Sequence, residues 1–315
     1  MRIVVAGGSG FIGAALVNAL RRDGHHVPVL TRRPRRPDDV HWWPGDSVAS
    51  GLRGKPHIDE IRTGSGASPW QRAVEDADAV INLAGESIAD RRWTEARKRA
   101  ILESRVKATR ALVSAIRGAR RPPGVLMNAS GINVYAAHGD EPLTEESAAG
   151  SDFLASVCKA WEAAALEAAP VSRVVLLRSG LVAAKDGGAL PKIALPFHFF
   201  AGGPIGSGRQ YMSWIHRDDW VSMVCWALSE RNVSGPLNVT APTPVRNADF
   251  AHTLGRVLHR PAILPVPGFA LRLALGQMAD EMLLSGAPVI PQKAQAGGFS
   301  FRYRELEPAL RAIYL

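Results

Sequence analysis

The chain has 315 residues, 46% of them hydrophobic, with 38 Lys and Arg against 29 Asp and Glu and a formal net charge of +9. That length fits one large α/β domain or two closely joined ones. The charge raises nucleic acid as a partner, but the arginines are scattered, clustering only at Arg32–Arg36, Arg91–Arg99 and Arg117–Arg121 with no zinc finger, aromatic-basic motif or basic tail, so none is expected.

The first strand, Met1–Ala6, is entered without a basic, apolar and cleavable leader, so a cytoplasmic location is expected. It runs straight into Gly7-Gly8-Ser9-Gly10-Phe11-Ile12-Gly13, and Ala14–Arg22 reads as the helix behind that loop. Gly7 makes the tight turn, Gly10 lets backbone amides approach a pyrophosphate, and Gly13 lets helix pack on strand. The helix N-terminus adds amide donors and partial positive charge. A glycine triplet alone is a weak signal. Here strand, loop and helix stand in order, and a second strand, His26–Leu30, closes the unit. A dinucleotide-binding fold is expected rather than an accidental glycine-rich turn, with Gly7, Ser9, Gly10, Phe11, Ile12 and Gly13 on the phosphates.

The residues after the second strand bear on which dinucleotide binds. An NAD site usually places Asp or Glu there for the ribose 2′-hydroxyl. This chain has Thr31-Arg32-Arg33, and guanidiniums suit a 2′-phosphate that a carboxylate would repel. NADP(H) is expected over NAD(H). A solvated basic turn is the alternative, since Arg35 and Arg36 continue the run past Pro34.

Pro34–Gln71 is rich in Gly, Pro and Arg and reads as irregular loop. Strand Ala79–Leu83, a long helix over Thr94–Ala119, strand Gly124–Ala129, helix Ser151–Ala168 and strand Val174–Arg178 then alternate as a parallel sheet requires. After Gly180 the pattern breaks. Ala183–Gly208 holds Pro, Gly and a Phe-His-Phe-Phe cluster, and Trp214–Asp219 leads into a helix through about Leu228. A short strand, Leu237–Thr240, precedes helices at Phe269–Met282 and Glu305–Ile313, with Gly298–Tyr303 between them. The expected fold is a Rossmann-like doubly wound parallel sheet with a smaller C-terminal substrate region. Residues 1–182 and about 205–242 would form the dinucleotide-binding domain; about 183–204 and 243–315 would form the substrate or lid region. No apolar run is long enough to span a membrane. The two cysteines, Cys158 and Cys225, build neither a disulfide framework nor a metal site.

Together these residues resemble the extended short-chain dehydrogenase/reductase superfamily, in its nucleotide-sugar epimerase and dehydratase group, over nearly the whole chain. Gly7–Gly13 is like its Gly-x-x-Gly-x-x-Gly, and Asn82-Leu83-Ala84-Gly85 is like the segment beside its cofactor. Val106–Arg110 resembles its central helix, Ala129–Tyr135 its active-site strand end, and Trp214–Asp219 its Phe-Ile-His-Val-Asp-Asp segment. More narrowly, the chain is similar to the "epimerase family protein" branch. That likeness rests on Asn82–Ile88 with Arg92-Trp93, on Ser104-Arg105-Val106, and on Asp152-Phe153-Leu154 through Trp161-Glu162. The tail from Pro267-Gly268-Phe269 to Gly297–Tyr303 resembles that branch's C-terminal module. The resemblance implies Leu83, Ala84, Gly85 and Arg105 beside the cofactor, where Arg105 replaces a typical Asn.

The superfamily works with a Tyr hydroxyl and a Lys four residues later, whose charge lowers the Tyr pKa and holds the nicotinamide ribose. No tyrosine here has such a lysine. Registered on Glu162, the helix puts Leu154 in the Tyr position and Cys158 in the Lys position, while Gly131 falls where Ser or Thr polarises the substrate carbonyl. Ser130, Tyr135 and Glu86 remain as candidate proton-handling groups. Turn capping competes for Ser130, packing for Tyr135, and helix capping or pairing with Arg91 or Arg92 for Glu86. Arg209 and His216 flank the expected substrate side, Arg209 suiting a phosphate or carboxylate, whereas His216 is expected rather to order the Asp218-capped helix. The leading expectation is an NADP(H)-dependent oxidoreductase or epimerase-like enzyme acting on a small carbonyl or hydroxyl compound, sugar-like in this family. Its rival is a catalytically inactive NADP(H)-binding regulatory or sensor protein. A homodimer is compatible with this architecture.

Overall fold

A computed structural model of the chain describes residues 1–43, 67–135 and 139–315. The first half runs β1 (Ile3–Ala6), α1 (Phe11–Arg22), β2 (Val29–Thr31), β3 (Val40–His41), α2 (Pro69–Glu75), β4 (Ala79–Asn82), α3 (Glu95–Gly118), β5 (Val125–Gly131), α4 (Phe153–Leu166) and β6 (Arg173–Ser179). Then come β7 (Leu181–Ala183), α5 (Leu190–His198), β8 (Tyr211–Met212), β9 (Trp214–His216), α6 (Arg217–Ser229), β10 (Gly235–Val239) and β11 (Val245–Arg246). The C-terminal part holds α7 (Asn247–Leu258), α8 (Gly268–Leu275), α9 (Gln277–Ala279), α10 (Gln292–Ala296) and α11 (Leu306–Tyr314).

Seven strands form one sheet in the order β10-β6-β5-β4-β1-β2-β3. β1 pairs in parallel with both β2 and β4, Val5 standing opposite Val29 and Ile81. The expected doubly wound, Rossmann-like α/β fold is therefore the fold observed. The strand order reverses between β1 and β4, the topological switch point where open α/β sheets bind ligands. β1 and β4 are buried along their whole lengths, as sheets covered on both faces require. α1 buries Leu16, Val17 and Leu20, one helical face at i, i+1 and i+4. Each fully buried leucine there contributes roughly 1.5–3 kcal/mol.

The chain divides into two compact units. The first comprises Met1–Glu86, Glu103–Asn128 and Ala163–Val174; the second comprises Ser87–Leu102, Ala129–Glu162 and Val175–Leu315. The core of the second unit gathers Phe197 of α5, Trp214 of β9, Phe250 and Leu254 of α7, and Leu306 and Leu310 of α11.

Several element expectations are corrected. The Pro34–Gln71 loop contains β3 and the start of α2; its residues 44–66 lie outside the described part. The irregular stretch after Gly180 holds α5, and α7 was unforeseen. The single helix expected over Phe269–Met282 is broken at Gly276, whose φ is 63°. Thr94–Ala119 is one uninterrupted helix but for its two end residues.

Candidate functional site

The glycine loop leaves the C-terminal end of β1 at the switch point. Gly7 has φ +78°, and a Cβ there would stand 2.8 Å from the Leu83 carbonyl carbon and oxygen and 3.0 Å from the Ala84 amide nitrogen. A Cβ on Gly13 would lie 2.3 Å from the Gly7 oxygen. Loop, α1 and the Leu83–Gly85 segment are thus pressed together to a distance no side chain permits. Gly10 caps α1 with no side-chain hydrogen bond and no acidic residue in the first turn, so the helix end keeps its partial positive charge for an anion. These are the features a pyrophosphate requires of the residues that hold it.

Thr31 ends β2, its hydroxyl lying 3.4 Å from Ser9 Oγ and accepting the Arg33 amide at 3.3 Å. Arg32 and Arg33 are exposed, and no carboxylate stands at this strand end. The Arg32 guanidinium lies 5.6 Å from the ring centroid of Trp43, which is 48% exposed. Beneath Leu83–Gly85, the Asn82 amide donates to Thr109 Oγ1 at 2.9 Å and to Asn128 Oδ1 at 2.7 Å, all three residues fully buried. Asn82 Oδ1 in turn accepts the Ala84 amide at 3.1 Å. That closed polar set fixes the loop leaving β4. Arg105 of α3 packs on Gly85, where a Cβ would meet its Cγ and Cζ at 3.2 Å.

The expected proton-handling groups lie in different settings. Ser130 donates to Glu162 Oε1 at 2.7 Å, and both are buried. Glu162 forms a fork with Arg178, Nε to Oε1 at 2.8 Å and Nη2 to Oε2 at 2.7 Å. Arg178 Nη1 also donates to the Tyr135 hydroxyl at 2.8 Å, and that hydroxyl donates to Asn238 Oδ1 at 2.8 Å. Burial pushes the Tyr135 phenol up, against the pull of the Arg178 charge. Burial works to lower Arg178, and its bonds to Glu162 outweigh that and raise it. The Ser130 hydroxyl is thus engaged by Glu162, and the Tyr135 hydroxyl by Arg178 and Asn238, all within one buried network. Sequence reasoning missed Glu162, Arg178 and Asn238. The available signal was charge on apolar elements: Glu162 on the buried side of α4 and Arg178 within β6 must find each other, because a lone buried charge is prohibitive.

Glu86 is exposed, its amide donating to Ser104 Oγ at 3.2 Å. At the three substituted positions, Leu154 and Cys158 are buried. A Cβ on Gly131 would meet Asn133 Oδ1 at 3.6 Å and Cys158 Sγ at 3.7 Å, ordinary contacts that leave room there. Arg209 is exposed. His216 is buried beneath Tyr303, ring centroids 4.1 Å apart, and its Nδ1 accepts the Asp218 amide at 3.1 Å as the cap of α6, the helix-ordering role expected of it. Among the described residues no cluster of three His, Cys, Asp or Glu could hold a metal, and no helix is long and apolar enough to cross a membrane.

The fold and its glycine loop define a Rossmann-like α/β protein with an anion-ready turn at the switch point. The profile of the NAD dependent epimerase/dehydratase family matches residues 3–239, and a domain of unknown function, DUF1731, matches residues 266–313. The chain belongs to the NAD dependent epimerase/dehydratase family. It is 40% identical to the Arabidopsis thaliana epimerase family protein SDR39U1 homolog, chloroplastic, over 99% of this chain and 86% of that one. It is 39% identical to epimerase family protein YfhF of Bacillus subtilis, over 99% and 98%. The crystal structure of human epimerase family protein SDR39U1 (isoform 2) with NADPH superimposes with a TM-score of 0.86 at 36% identity, covering 100% of this chain and 99% of that one.

Proposed function

We propose that this protein binds NADP(H) and uses it in an oxidoreductase or epimerase-like reaction on a small carbonyl or hydroxyl compound. The observation that carries the reading is the loop from Gly7 to Gly13, packed too tightly for a side chain at Gly7 and at Gly13 and opening on a helix end with no acidic residue. Gly7, Ser9, Gly10, Phe11, Ile12 and Gly13 would hold the pyrophosphate, and Thr31, Arg32 and Arg33 the adenosine ribose with its 2′-phosphate. Leu83, Ala84, Gly85 and Arg105 would border the nicotinamide half. The human relative crystallised with NADPH supports the phosphorylated cofactor. When bound, the nicotinamide supplies or accepts a hydride. Glu86 is the proposed proton-handling group, because its carboxylate is exposed on the segment after β4, whereas the Ser130 and Tyr135 hydroxyls are already bonded to Glu162, Arg178 and Asn238. Residues 183–204 and 243–315 are the proposed substrate region, with Arg209 on a substrate anion. A cytoplasmic location belongs to the same proposal, although the Arabidopsis relative is named chloroplastic.

A second reading, an NADP(H)-binding sensor without chemistry, is favoured by one observation: buried Leu154 and Cys158 occupy the Tyr and Lys positions of the family's catalytic pair. Titration of the protein with NADPH, NADP+, NADH and NAD+ tests the shared part. NADP(H) is expected to bind more tightly than NAD(H), and Arg32→Ala to remove most of that preference. A carbonyl-substrate screen then separates the two readings. Turnover lost in Glu86→Gln supports the enzyme; NADPH binding with no turnover on any carbonyl substrate supports the sensor.

A further inference from the structure

Within the proposed substrate region the second unit carries a basic cleft whose lining includes none of the residues assigned above to the cofactor, to proton handling or, at Arg209, to a substrate anion. It has a volume of about 670 Å³ and is lined by His252, Arg256, His259, Arg260, Ile263 and Arg311, with Gly255 and Ala262 completing the wall. That volume lies within the range of small-molecule sites, roughly 300–1,000 Å³. Most of these residues fall in 252–263, between the two family matches, and Arg311 lies within the C-terminal one.

Three arginines and two histidines line the cleft, and Glu307 pairs with two of the arginines. Arg256 Nη2 lies 3.1 Å from Glu307 Oε2, and Arg311 Nη2 lies 2.8 Å from Oε1. The end of α7 uses only part of this positive charge. There the His259 amide donates to the Arg256 oxygen, and the Arg260 amide donates to the Gly255 oxygen, so backbone closes these two carbonyls of the last turn. Arg260 gives Nη1 to the His259 oxygen at 3.0 Å, while its Nε is buried without an acceptor. A buried unsatisfied donor is costly, and this one is an unused donor on a residue that lines the cleft. Each guanidinium also has more N–H groups than these bonds use.

The walls of the cleft are apolar as well as basic. Ile263 is 75% exposed on its rim. Phe200, 59% exposed and held at φ 59°, lies under the Arg260 guanidinium, 4.7 Å from ring centroid to charge. A bulky side chain in the left-handed region is strained, and here the strain presents a ring to solvent beside a cation. The Leu264 amide donates to the Gly202 oxygen at 3.1 Å, tying the Phe199–Ala201 turn to the Ile263 wall.

We propose that this cleft is a second ligand site, for an organic polyanion with two or more phosphate or carboxylate groups and a small apolar part. The anionic groups sit among Arg256, Arg260 and Arg311, and the apolar part lies on Ile263 and the Phe200 ring. The proposal is independent of the cofactor reading, because every residue in it belongs to the second unit. Binding is charge-driven and falls as salt rises.

The test is calorimetric titration of the full chain at low salt with tripolyphosphate and, in a second arm, with hexaglutamate, each with and without saturating NADPH. The expected result is binding of at least one probe that persists in NADPH and weakens by more than about tenfold in Arg260→Gln/Arg311→Gln, which removes two sets of charge-assisted donors. His252→Glu, an exposed change that puts a carboxylate in the cleft, is expected to weaken it too. Preference for tripolyphosphate identifies phosphate as the recognised group, and preference for hexaglutamate identifies carboxylate. Binding abolished by NADPH would place the probe in the glycine loop and overturn the proposal. So would binding unchanged in both variants, or no binding of either probe.

Discussion

Arg178 and Glu162 are each about one-tenth exposed, and each is the other's only counter-charge in the bonds described above. Removing one partner of such a pair strands a buried charge at a cost of about 3–5 kcal/mol, whereas replacing both by apolar residues is often neutral. Arg178→Met is therefore expected to lower the urea midpoint sharply, and Glu162→Leu/Arg178→Met to recover much of the loss. Equal losses in the single and double variants would mean that packing, not charge, sets the cost. Tyr135→Phe removes a buried hydroxyl that both donates and accepts; roughly 1–3 kcal/mol of stability should go with it. His216 gives a pH signature. Burial holds its pKa below the ordinary 6.5, with Asp218 and Asp219 pulling the other way. The folded state prefers the neutral ring, the form whose Nδ1 caps α6. Its contribution is fully present above the unfolded-state pKa and is lost as pH falls through the lower folded value. Urea midpoints should therefore decline below pH 6.5 in the wild type and decline less in His216→Asn, which keeps a cap without the titration.

At the scale of elements, the first strand–loop–helix shows how a short sequence fixes a site. Gly13→Ala leaves the helix propensity improved but drives a methyl group to 2.3 Å from the Gly7 oxygen. The loop must shift, so NADPH affinity is expected to fall by at least about tenfold, or 1.4 kcal/mol, with secondary structure by circular dichroism intact. Unchanged affinity would remove the loop from the cofactor site. This unit was legible because its physics is local: a buried run, three spaced glycines and a helix. α2 was not, because Pro69 reads as a breaker although it stands in the first turn, where proline is tolerated, behind a Ser68–Gln71 capping box. α5 was hidden by Pro191 at its start and Pro196 within it. The partners of Ser130 and Tyr135 were illegible for a different reason. They lie up to 103 positions away, as between Tyr135 and Asn238, and only the folded chain brings them within hydrogen-bond distance.

The whole molecule is threaded so that neither unit is a continuous piece of chain. The first unit takes three segments and the second takes three, and β5 and β6 each begin in the first unit and end in the second. A strand cannot keep half of its ladder while the other half melts without exposing unpaired backbone groups. Thermal unfolding is therefore expected as one cooperative transition. A ligand held by the glycine loop stabilises the folded state by RT ln(1 + [L]/Kd), about 2.7 kcal/mol at a hundredfold excess over Kd. Under one transition, NADPH should raise the melting of both units together, read by hydrogen exchange at Val80 and Ile81 in the first and at Leu254 and Leu310 in the second. NADH at the same concentration should raise it less, and Arg32→Ala should bring the two cofactors together. Protection gained in the first unit alone would show that the shared strands do not couple the units and that the cofactor stabilises only the part that holds its phosphates.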